Sequence, residues 1–295
     1  MNEREWRHPH HRETFVEAQD RILPLTRWVS AAIVPFLVAA SAILYLLPDR
    51  TDPLFAWTIE PSLSAMFLGS AYIGGIWFFS VVLRQNLWHR VRHGFPAVVV
   101  FATLLSIATF LHWDKFHFGQ LPFIVWVTLY VTTPFVVLAV FLLNRSADDR
   151  LPEPRDIRVP LASRLVVAII GILAMVTGLI LFINPALLID NWAWKLTPLT
   201  ARVLGAIFTL PGMVNVWLLV DSRWTSFRWI FQAQLVSLVF IIGALALGRN
   251  DLDWTKPATP AVLGGLAVSL LAYVAFYLYN EKRMPRSVRP DRSRT

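Results

Sequence analysis

AWTIEPSLSAMFLGSAYIGG, residues 56–75, and AWKLTPLTARVLGAIFTLPG, residues 193–212, are two versions of one phrase. Ala56-Trp57 recurs at Ala193-Trp194 and Pro61 at Pro198. A one-residue shift then brings Ala65, Leu68 and Gly69 onto Ala201, Leu204 and Gly205, and Trp88 onto Trp224. In both copies a Trp and a Pro lead into a run that is continuously apolar, with none of the alternation a barrel strand would show. Each run reads as a bilayer-crossing helix. About 20 apolar residues cover a hydrocarbon core of about 30 Å, and a helix satisfies its backbone hydrogen bonds within one segment.

Working outward, six more runs have the same character, giving spans at 28–47, 62–83, 95–111, 121–143, 161–183, 199–220, 227–247 and 259–279. The whole composition agrees: 56% of the 295 residues are hydrophobic, only 16% are charged, and the mean hydropathy is +0.54. A soluble domain is about a quarter charged. The expected fold is all-α, a polytopic membrane protein of eight transmembrane helices arranged as two four-helix parallel repeats. The repeats occupy 28–143 and 161–279, joined by a linker at 144–160 and flanked by an arm at 1–27 and a basic tail at 280–295. An even number of spans per repeat gives both copies the same orientation, with sites expected between the halves.

Charge sets the expected orientation. All but six of the 27 basic residues fall in or just beside the arm, the even-numbered connections and the tail; the exceptions are Arg50, Lys115, Lys195, Arg202, Arg249 and Lys256. The positive-inside rule then places both termini in the cytoplasm of a cell whose inner (plasma) membrane holds the chain. The arm has no short apolar core and no small-residue cleavage site, so the first span itself targets the chain. The net charge of +8 reads as a basic rim that attracts anionic lipid headgroups rather than nucleic acid. The Trp residues of the outer connections, Trp57, Trp113, Trp192, Trp194 and Trp254, read first as interfacial anchors.

Two places hold candidate chemistry. Within the spans, Arg202 is a charge about one turn inside span six, which needs a partner or a route to the headgroups; Asp190, Glu60 and Asp114 are the expected partners. Gly74-Gly75 in span two and Pro211-Gly212 in span six are expected to interrupt their helices at matching depths, which points to a ligand site there. Asn215, Gln232 and Gln234 are amides that can bond between helices. On the outer face, TFLHWDKFHF (109–118) puts His112, Asp114 and His117 close together. On a helix the two histidines would point roughly 140° apart; in a loop, two imidazoles and a carboxylate suit a divalent metal. His89 and His93 share a helix face but sit among Arg90 and Arg92, which would repel a cation, and His8, His10 and His11 lack a further ligand at zinc spacing. The chain has no Cys, which removes disulfides, thiolate ligands and a cysteine nucleophile. Asp221 is expected to pair with Arg223 or Arg228.

PLTARVLGA (198–206), together with HWDKFHF (112–118), resembles phrases in uncharacterised bacterial multi-pass membrane proteins. The resemblance implies a multi-pass membrane protein and no particular activity. In size and span count the chain is also similar to haem A synthase, but those enzymes resemble one another through intramembrane histidines in both halves, and residues 119–295 contain no histidine. Three functional readings follow. The leading one is binding or transport of a small molecule or lipid between the halves, without enzymatic activity and with no cofactor. The second is an outer-face metal- or haem-dependent enzyme. The third is an accessory subunit of a membrane complex.

Overall fold

The computed structural model describes residues 20–148 and 150–285; the histidines of the arm and most of the tail lie outside them. Among the described residues eight helices are long and apolar enough to cross a membrane. They are α1 (Pro24–Leu46), α2 (Ser62–Arg84), α3 (Gly94–Leu111), α4 (Leu121–Asn144), α5 (Leu161–Ile183), α6 (Pro198–Trp217), α7 (Arg228–Leu247) and α8 (Ala258–Arg283). The chain is an all-α integral membrane protein. Its boundaries differ from expectation where local chemistry decides them. α1 begins at Pro24, where a missing N–H costs nothing in a first turn, and Arg27 becomes part of it, donating to Gln85 O and Asn86 Oδ1 (2.8 Å each). α8 runs past 279 to Arg283, and Glu281 on its last turn pairs with Arg228 (2.7 Å).

The helices form a ring in the order α1, α2, α7, α8, α5, α6, α3, α4 and back to α1, crossed in the middle by contact between α2 and α6. Consecutive order is thus not spatial order. α3 lies against α6 and α7 against α2, so each half lends a helix to the other. Adding four to each label maps the ring onto itself. Finer contacts recur in the same way. Ile22 N–H donates to Asn86 O (2.9 Å) and Val159 N–H to Ser222 O (2.8 Å); His117 N–H donates to Ala56 O (2.9 Å) and Asp253 N–H to Ala193 O (2.8 Å).

α2 and α6 are the most enclosed of the eight, and both run unbroken through the positions expected to interrupt them. Close approach, not a break, accounts for the glycines. A Cβ on Gly74 would stand 2.8 Å from Ser237 Cβ of α7, and one on Gly212 would strike Met175 of α5. Gly178 and Gly205 face each other across the α5–α6 seam, where a Cβ on Gly178 would lie 2.5 Å from Gly205 O. Small residues let membrane helices gain dispersion contact where lipid provides no hydrophobic drive.

Three tryptophans depart from the interfacial expectation. Trp57, Trp192 and Trp194 are buried, because the connections that carry them fold back over the helix ends. Trp194 Nε1 donates to Ser64 Oγ at 2.9 Å, from one half to the other. Trp113 and Trp254 remain exposed.

Candidate functional site

The helix ring borders a partly open cavity of about 580 Å³ that draws lining from all eight helices. That is within the usual size of a small-molecule site. Its wall is mostly hydrocarbon, and among the described residues no Asp, Glu, Lys, Arg or His lines it. Gly74, Gly75 and Pro211 of the expected site border it; Gly212, Asn215 and Arg202 do not.

Thr133, Ser237 and Ser269 add hydroxyls to the wall, and further polarity comes from tyrosines and an amide. Tyr72 of α2 and Tyr130 of α4 meet hydroxyl to hydroxyl at 2.6 Å. Tyr273 of α8 accepts from Asn215 Nδ2 (2.6 Å), whose same nitrogen reaches Val167 O on α5 (2.8 Å), while Asn215 Oδ1 accepts from Gln234 Nε2 of α7 (3.4 Å). Asn215 is therefore a buried junction for four helices, and Tyr273 and Gln234 are the members that reach the cavity wall. A tyrosine in the middle of an apolar run is the sequence signal that marks them, since its hydroxyl needs a partner once buried.

α1 and α4 bracket one side of the cavity. Their hydrogen-bonded contact is at one end, where buried Asn144 accepts from Thr26 Oγ1 (2.6 Å) and Leu23 N–H (3.2 Å) and donates to Arg21 O (3.0 Å). Further along, Leu37 and Ala40 of α1 and Val125 and Leu129 of α4 all face the cavity.

The expected outer-face residues are dispersed. His112 caps α3 and turns to α6, where Arg202 Nη1 donates to its Nε2 at 2.6 Å. Histidine, not an acid, is thus the partner of Arg202. Burial first, and then the guanidinium, holds His112 below its ordinary pKa, so the imidazole is a neutral acceptor. His117 sits against the preceding connection, with Nδ1 3.2 Å from Phe55 O and Nε2 3.2 Å from Thr58 Oγ1. Asp114 pairs with Lys115 (2.7 Å) in solvent, and this neighbour lowers its pKa. Among the described residues no group of three or more His, Asp or Glu is placed to hold a metal ion.

On the face that carries Asp20 and Pro285, charges form two buried networks. In the first, Arg92, Asp148, Arg223 and Asp221 alternate around a closed ring: Arg223 lies 2.8 Å from both carboxylates, and Arg92 contacts Asp148 and lies 3.3 Å from Asp221. Burial raises the cost of each charge, yet the bonds from His93 and Arg223 keep Asp221 far below the usual carboxylate range. His93, stacked on Phe227 at 4.6 Å, presents Nε2 to both Asp221 Oδ2 (3.0 Å) and Arg92 Nε (3.2 Å), and burial lowers its pKa. In the second, His89 stands between Asp20 and Glu153 (2.7 Å from Nε2), and Arg90 pairs with the same Glu153 (2.7 Å). These networks tie together the connections after α2, α4 and α6. Comparison of the chain with protein-family models, with curated proteins and with solved structures found no match.

Proposed function

We propose that this integral membrane protein binds or transports an apolar small molecule or lipid within the bilayer, at a site between the two halves of the helix ring. One observation carries the reading: a cavity of about 580 Å³ with an apolar, uncharged wall built from all eight helices. Close packing of a membrane bundle needs no such space, and apolar lining left without partner atoms forfeits dispersion contact. The recurrence of the packing pattern under the α1–α4 to α5–α8 exchange supports a duplicated four-helix unit with an axis along the membrane normal. The clustering of basic residues supports an inner (plasma) membrane location in a bacterium, with both termini cytoplasmic and a rim in contact with anionic lipid. Arg202 belongs to the framework of the site, bracing α6 against the end of α3 through His112.

The protein purified from native membranes is expected to carry a bound apolar molecule detectable by mass spectrometry of an organic extract. Ala40→Phe with Ala174→Phe, which push aromatic rings into the cavity from opposite halves, are expected to reduce that molecule at least several-fold while the melting temperature is retained. An extract containing no such molecule in amounts comparable to the protein, or an unchanged amount in the filled variant, would refute the reading.

A further inference from the structure

Two polar groups of the cavity wall that share one partner, Asn215, have capacity that the fold leaves unused. Gln234 spends its Nε2 on Asn215, but its Oε1 is buried and has no hydrogen-bond partner among the described residues. Tyr273, 3% exposed, accepts from Asn215 Nδ2 and finds no acceptor for its own proton among the described residues. An unsatisfied buried acceptor and donor are each costly in a medium without water. Both residues bond to one asparagine and both line the same apolar space.

A reciprocal pair of this kind has a specific complement. An alkane satisfies neither group. A carbonyl satisfies only Tyr273, and a carboxylate or ammonium would bring a charge into a wall that offers no countercharge. A hydroxyl satisfies both, since its oxygen accepts from Tyr273 and its proton is donated to Gln234 Oε1. The Tyr72–Tyr130 pair differs, because one of its hydroxyls is already satisfied by the other. We infer that the ligand is an uncharged lipid alcohol, its hydroxyl held between Gln234 and Tyr273 and its hydrocarbon tail in the cavity. This rests on the reading of the cavity as a ligand site and names the ligand's class.

Full-length protein in nanodiscs, with empty nanodiscs subtracted, would be tested for retention of radiolabelled hexadecanol, hexadecane and palmitate. Hexadecanol is expected to be retained in preference to both others. Gln234→Leu and Tyr273→Phe are each expected to weaken hexadecanol retention roughly three- to tenfold, the range of one hydrogen bond, and to leave hexadecane retention as in the unaltered chain. Equal retention of alcohol and alkane, or variants that hold hexadecanol like the unaltered chain, would overturn the hydroxyl site while leaving the cavity reading standing. Retention of none of the three probes would overturn the cavity reading itself.

Discussion

His89 is enclosed by two carboxylates, and its proton is worth more in the fold than outside it. Burial opposes the charge, but hydrogen bonds to Asp20 and Glu153 outweigh burial and push the pKa up to about 9. A base raised in the fold contributes stability that is complete below its ordinary value near 6.5 and is lost as pH rises through about 9. The melting temperature is therefore expected to fall between about pH 6.5 and 9, with a loss on the order of 1–3 kcal/mol across that window. His93 and His112 are held below their ordinary values, so their titration lies below this window. Thermal scans of the purified protein and of His89→Gln would check it; an equally steep fall in the variant would assign the effect elsewhere.

Helix seams supply the next test, because the chain's glycines sit in opposite circumstances. Gly178 faces Gly205 O in the α5–α6 seam, whereas a Cβ on Gly264 of α8 meets nothing within 4 Å. Gly178→Ala is expected to force the two helices apart and cost roughly 1–3 kcal/mol, while Gly264→Ala is expected to be neutral or slightly stabilising. Unfolding in mixed micelles would separate them. Both glycines look alike in sequence, and here the limits of reading become physical. The eight spans are legible because a bilayer imposes length and apolarity on every crossing segment. Which face of an apolar helix meets a neighbour is not, because lipid and protein neighbours are equally apolar. Arg202 stands out as a charge in a span, yet its partner, His112, is supplied by an element 90 residues away. Gly74 and Gly212 sit at close helix approaches in helices that run on unbroken, and a glycine at a close approach and one at a kink leave the same mark in a sequence.

The order of helices around the ring governs the behaviour of the whole molecule. α2 has its neighbours in α1, α6 and α7, and α6 has its own in α5, α2 and α3, so neither half is a closed bundle. A chain cut in the exposed connection at Leu151-Pro152 is expected to yield halves that co-purify when expressed together in one membrane. Each alone is expected to aggregate or be degraded. Affinity capture through a tag on one half measures this directly, and a half that stays monodisperse alone would contradict the interleaved arrangement.

That interleaving reaches back to synthesis. When the fourth helix has left the translocon, α2 and α3 still lack the partners against which their small and aromatic residues are shaped, and those partners have not been translated. The first half must wait in the lipid with its seams unfilled until α6 and α7 arrive. Its residence there is a period of exposure to proteolysis that ends when α6 and α7 dock.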